Sequence, residues 1–167
     1  MPKYCLDTSA ITNPLATIPQ DLFPACWKGF EEMIMDGLFC CNAEIFLECT
    51  YIEGPIGDCL KSQKADLVFE IGQGQWDWLT YVGHINRMQS SYHDFISEYH
   101  GNRQNTIGLN DLSIVALAKT LSLPVVSMEA PARQPSTTKM RIPALCDAEG
   151  VDHLNFQELL RKEGKSF

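Results

Sequence analysis

The chain has 167 residues, of which 45% are hydrophobic and 20% charged, and its formal net charge is -8. That length fits one domain, 1–167, with a self-sufficient core, and that composition excludes a disordered or fibrous protein. The negative balance argues against broad adhesion to nucleic acid, which relies on clustered Lys and Arg, but carboxylates gathered around a cation do not repel a phosphate substrate once the cation is bound.

No long apolar run is present: Met33 to Cys41 is cut by Asp36 and Gly37, and Asp7 interrupts the stretch that a signal peptide would need. The expectation is a soluble, cytoplasmic protein with no membrane association. The seven cysteines are odd in number and none is spaced Cys-x-x-Cys, so they read as reduced core residues. His84, His93, His100 and His153 stand at no standard ligand spacing and read as structural residues rather than zinc ligands.

In chain order, the apolar run from Tyr4 ends at Asp7 and is followed by Thr8 and Ser9, the pattern of a buried parallel strand delivering a carboxylate to the sheet edge. Asp-Thr-Ser is equally good turn and cap chemistry. Residues 14–24 read as a loop. Phe23, Trp27, Phe30, Met33 and Ile34 give a helix that stops at Asp36-Gly37, and Leu38 to Cys41 is a second strand. Asn42 caps a helix reaching about Glu53, with Glu44 and Glu48 on one face. The pattern then predicts a helix over 57–72, a third strand over 78–82 and a helix over 85–100.

Residues 101–110 read as a loop, and Asp111 opens a helix that is apolar nearly all round and therefore buried. The dipole of such a helix gives Asp111 a structural reason to be there. Residues 124–127 are a fourth strand ending in Ser127-Met-Glu129, followed by a loop over 130–139. A short helix over 142–149, a strand over 151–154 and a closing helix over 156–163 complete the chain. Alternation of strands and helices predicts an α/β fold with a parallel sheet covered on both sides.

That fold carries acids to one sheet edge four times: Asp7, Glu48 or Glu44, Asp111 and Glu129. Carboxylates about 4 Å apart repel by roughly 4 kcal/mol per pair at an effective dielectric near 20. A hard cation removes that conflict, and oxygen-only ligands select Mg2+ or Mn2+. Such a centre suits phosphodiester hydrolysis.

Leu-Asp-Thr-Ser-Ala-Ile at 6–11, Leu47-Glu48, Asn110-Asp-Leu-Ser-Ile-Val-Ala-Leu-Ala-Lys119 and Val125-Val-Ser-Met-Glu129 resemble, in order and spacing, the PIN domain, the family of the VapC-type ribonuclease toxins. The tail from Lys139 through Leu160 resembles a slightly longer bacterial PIN-like subgroup. The resemblance implies a three-layer α/β/α fold with about five parallel strands in the order 3-2-1-4-5. It also implies a Mg2+- or Mn2+-dependent endoribonuclease acting on RNA, often a homodimer inhibited by an antitoxin protein. Asp7, Glu48, Asp111 and Glu129 match the family's acids, and Thr8, Ser9 and Ser127 match supporting hydroxyls. Ser127 replaces a commoner Thr and Glu129 a commoner Asp.

Arg87, Arg103, Arg133, Lys139 and Arg141 are candidate phosphate contacts, set against ordinary solvated roles. Trp27, Trp76 and Trp78 are read as packing residues before base-stacking ones. The competing functions are a catalytically inactive scaffold that binds RNA or a protein, and a phosphohydrolase with Asp7 as nucleophile. The latter generally needs a second Asp at position 9, which here is Ser.

Overall fold

A computed structural model describes residues 1–104, 106–130 and 139–165. Its centre is a five-stranded, all-parallel sheet in the order β3-β2-β1-β4-β5: β1 Tyr4–Leu6, β2 Phe39–Asn42, β3 Val68–Phe69, β4 Val125–Val126 and β5 His153–Leu154. Helices flank it, giving the α/β architecture expected from the alternating pattern: α1 Ser9–Thr17, α2 Pro24–Met35, α3 Ala43–Cys49, α4 Gly54–Ser62, α5 Lys64–Leu67, α6 Trp78–Ser91, α7 Leu109–Leu121, α8 Ile142–Glu149 and α9 Phe156–Lys162. Cys5 pairs in register with Cys40 on one side and Val125 on the other. The chain therefore fills one side of β1 and then crosses to the other, so the switch point where open α/β sheets bind ligands falls at the carboxyl end of β1.

The strands are short; β1, β2 and β4 are buried and the edge strands β3 and β5 half-buried, and their apolar side chains join one continuous core. Trp27, Phe30, Phe39 and Phe156 form an aromatic cluster with ring centroids 5.1–5.9 Å apart, and Trp27 Nε1 donates to the Ile18 carbonyl. Trp27 is thus a core residue. Helix α7 is buried on nearly every side from Leu112 to Ala118, as its apolar run predicts. The cysteines are free thiols, all buried except the half-buried Cys59. Among the described residues, no helix is long and apolar enough to cross a membrane.

Four stretches differ from the sequence reading. Residues 14–17, read as the start of a loop over 14–24, instead complete helix α1, because burial of Ala10, Ile11 and Pro14 outweighs the amide hydrogen bond that Pro14 cannot make. The third strand is Val68–Phe69, not 78–82. The long helix expected over 57–72 breaks at Gln63, which caps α4, and its β-branched and aromatic residues 68 and 69 pair beside Cys41 and Asn42. Residues 78–82 instead begin α6. Asp77 caps them by accepting from Thr80 N at 3.0 Å, and Tyr81 and Met88 take the buried face at helical spacing. Beyond Ser91, the expected helix continues only as 3-10 turns at His93–Phe95 and Ser97–His100. The loop expected over 130–139 lies mostly outside the described residues.

Far from the candidate acids, Glu149 at the end of α8 is buried and receives Arg87 Nη1 at 3.0 Å, Tyr92 Oη at 2.7 Å and Lys119 Nζ at 3.0 Å. Burial alone would raise its pKa, but the bonds from Arg87, Tyr92 and Lys119 outweigh that and hold it down at about 2. A depressed carboxyl pKa adds stability above its unfolded value and loses it as pH falls through the folded one. Glu149→Gln is expected to lower the unfolding free energy at pH 7 by about 2–3 kcal/mol, the modest end for a broken buried pair because Arg87 and Lys119 keep contact with water. The deficit should shrink as pH falls from near 4.5 toward 2. Urea unfolding measures it, and a variant as stable as wild type at pH 7 would contradict this account.

Candidate functional site

Asp7 lies just past β1, and its amide donates to the Val126 carbonyl of β4 at 3.0 Å. This anchors its carboxylate at the switch point, where only 4% of the residue is exposed. The Ser9 amide and hydroxyl both donate to Asp7 Oδ2, and Ser9 Oγ accepts from Met128 N at 3.0 Å. One hydroxyl thus links the first acid to the segment that carries the fourth.

Glu48 on α3 is gripped from two sides: Thr8 Oγ1 donates to its Oε2 and Asn110 Nδ2 to its Oε1, each at 2.7 Å. The pose of α3 is fixed from below by Asn42. Its Oδ1 caps the helix at Ile45 N, and its Nδ2 donates to Tyr81 Oη at 3.1 Å and Ser113 Oγ at 2.7 Å. Ser113 Oγ in turn donates to the Asn110 carbonyl. A buried amide with every group satisfied therefore connects α3, α6 and α7.

Asp111 occupies the first turn of α7 and accepts from Gly108 N at 2.8 Å. Glu98 lies alongside, accepting from Leu109 N at 3.0 Å. A side chain at Gly108 would crowd both: a Cβ there stands 3.2 Å from Asp111 Oδ2 and 3.5 Å from Glu98 Oε1. Glu129, half-buried beyond β4, accepts from Ile142 N at 2.8 Å, the first amide of α8.

Burial pushes the Asp7 carboxyl up to about 6; the Ser9 bonds pull it down, and the charges of Glu129 and Glu48 push it further up. Burial likewise pushes Asp111 up to about 7, against its Gly108 bond, with Asp7, Glu129 and Glu48 adding to the rise. The four acids thus share one poorly solvated space. They do not crowd to the separation assumed from sequence: among the described residues, the group of three or more ligand side chains with donor atoms within 4.8 Å of one another is His93, Asp94 and His100. Each acid is held in place by its own hydrogen bonds.

The donor chemistry fits a hard cation. The acids offer only oxygens, and in the metal-free protein burial, with the charges of Asp7 and Glu48, raises the neighbouring Cys49 thiol to about 12 against its bond to Thr8. Asp7, Glu48, Asp111 and Glu129 are the residues that would hold such an ion.

Other candidates sit elsewhere. Glu44 is exposed, and it is Glu48 that touches Thr8 and Asn110. Ser127 is buried and pairs with His153 at 2.8 Å on the neighbouring strand, unlike Thr8 and Ser9, which bond acids. Arg87 is engaged by Glu149. Arg103 and Lys139 are exposed and Arg141 half-buried, while Arg133 lies outside the described residues. Trp76 packs on Phe69 and Tyr81, and Trp78 is half-buried at the start of α6. Sequence reasoning missed Asn110 as the partner of Glu48. Its signal was an amide side chain immediately before an acid on an otherwise apolar helix.

Raised carboxyl pKa values have the opposite linkage to Glu149. Between the unfolded value of 3.8 and the folded values near 6 and 7, the folded state holds extra protons, so stability falls as pH rises through that window. The cation-free protein is therefore expected to lose stability between pH 4 and 7, and Asp7→Asn is expected to gain about 1–2 kcal/mol over wild type at pH 8. Denaturant melts in chelator across that range check this, and a destabilised Asp7→Asn protein at pH 8 would contradict it.

No curated protein matches the chain. The family described as "Domain of unknown function (DUF4411)" matches residues 4–167, all but the first three. The chain belongs to the DUF4411 family.

Proposed function

We propose that this protein is a Mg2+- or Mn2+-dependent endoribonuclease of the PIN-domain kind, acting as the toxin of a toxin–antitoxin pair. The observation that carries the reading is the electrostatic convergence of Asp7, Glu48, Asp111 and Glu129 at the switch point, from four separate segments. Two of them are held with carboxyl pKa values near neutrality, a conflict that a divalent ion relieves. The strand order 3-2-1-4-5, which the PIN resemblance implies, is the order observed.

When bound, the ion supplies a Lewis acid for a phosphodiester and lowers the pKa of a coordinated water. The chain's own residues set the frame. Ser9 orients Asp7 while its amide and hydroxyl favour the charged form. Asn110 and Thr8 occupy both oxygens of Glu48, so its carboxylate cannot rotate away from the edge. The amides of Gly108 and Ile142 do the same for one oxygen each of Asp111 and Glu129. Leu47 and Tyr51, large and exposed next to Glu48, suit a protein partner whose docking would also cover the acids.

No three of the four acids bring oxygens within 4.8 Å of one another, which favours one second reading, a scaffold that binds RNA or a protein without cleaving it. RNA cleavage with Mg2+ or Mn2+ separates the two. Asp7→Asn and Asp111→Asn are each expected to lose on the order of 100-fold or more in rate. Equal rates in wild type and both variants would discard the nuclease and leave the scaffold.

A further inference from the structure

The acids are not the only gathering of ligand side chains. His93, Asp94 and His100 bring one donor atom each to within 4.8 Å of one another, on the two 3-10 turns between α6 and α7. We infer that these three side chains form a second metal site, specific for a borderline transition-metal ion such as Zn2+ or Ni2+ and separate from the hard-cation site at Asp7. His93 Nδ1 and Asp94 Oδ1 are 3.2 Å apart. Ligands about 2.0–2.1 Å from a tetrahedral ion stand roughly 3.3 Å from one another, so this pair already has the separation that a shared ion requires. His100 Nε2 lies 3.1 Å from the His93 carbonyl, which accepts its proton. This is the outer bond that fixes the tautomer of a metal-binding imidazole and leaves Nδ1 with its lone pair. The His93 ring is further braced by Tyr99 at 5.1 Å and by the perpendicular His100 ring at 5.6 Å.

Two imidazoles and one carboxylate favour Zn2+, Ni2+ or Cu2+ over Mg2+. The exposure of His93 and Asp94 leaves the remaining coordination positions to water. The ion would clip the first turn to the second. Glu98, within the second turn, caps α7 at Leu109 beside Asp111, so the clip would steady the approach to the acid site from outside it.

Calorimetric titration of the reduced protein with Zn2+ or Ni2+, in excess Mg2+, tests the site. One ion is expected to bind per chain, with His93→Ala and His100→Ala each weakening it by more than the roughly 10–100-fold that loss of an outer-shell partner costs. Asp94→Asn, an exposed and fold-neutral change, should weaken it as well, while Asp7→Asn should not. Co2+ in place of Zn2+ should give a spectrum without thiolate charge-transfer bands. The inference is overturned by absence of stoichiometric binding in wild type, by binding that survives both histidine changes, by binding that follows Asp7 instead, or by a thiolate signature.

Discussion

The rest of the structure depends on the burial of one carboxylate at the end of the central strand. Moving a charged group out of water is costly unless it is paired, and among the described residues the side chain of Asp7 is met by the amide and hydroxyl of Ser9 rather than by a cation. Ordinary packing would place an apolar side chain there. The fold instead commits the hydroxyl that follows the strand, the Met128 amide and the Val126 carbonyl to keeping this group in place. The charges of Glu129 and Glu48 raise the cost further, and a cation bound among them, as proposed, would relieve it.

Helix α7 turns this local arrangement into a property of the whole domain. Its first turn carries Asn110 and Asp111 to the acid edge, its middle is the most deeply buried helical surface, and its last turn carries Lys119 to Glu149. The two ends have opposite electrostatic characters. At Glu149, three donors stabilise a buried carboxylate and depress its pKa; at Asp111, burial and like charges raise it. The stable ion pair holds the end that needs only to be rigid, and the unrelieved charges lie at the end that faces the switch point.

Much of this was legible in the sequence, for identifiable reasons. The apolar run from Tyr4 to Asp7 and the long apolar run after Asp111 carry patterns that read as a strand and a buried helix, and the structure agrees with both. The failures share a cause. Val68-Phe69 is a two-residue strand inside a stretch whose apolar spacing also suits a helix, and 78–82 alternates like a strand although Asp77 caps it as a helix. Elements this short are decided by which neighbour they meet, not by their own pattern. Pro14 misled in the same way, because tertiary burial overruled a local stop signal. The sequence places Asp7 after β1, Asp111 on the first turn of α7 and Glu129 after β4, as observed. The hydrogen bonds that orient the acids were not legible, since Asn110 and Glu48 are 62 residues apart and only the fold reveals that they touch. The His93, Asp94 and His100 group was hidden because its residues meet through two successive 3-10 turns, and no fixed spacing announces that geometry.

The central claim is that Asp7, Glu48, Asp111 and Glu129 are one cation-dependent centre. The most direct test is anomalous diffraction from a crystal of the full chain soaked in Mn2+. The account predicts an anomalous peak at the carboxyl end of β1, with Asp7 and Asp111 oxygens in its coordination shell and the carboxylates drawn closer together. A map at saturating Mn2+ with no peak among the four acids, or with Asp7 and Asp111 turned away from it, would contradict the account.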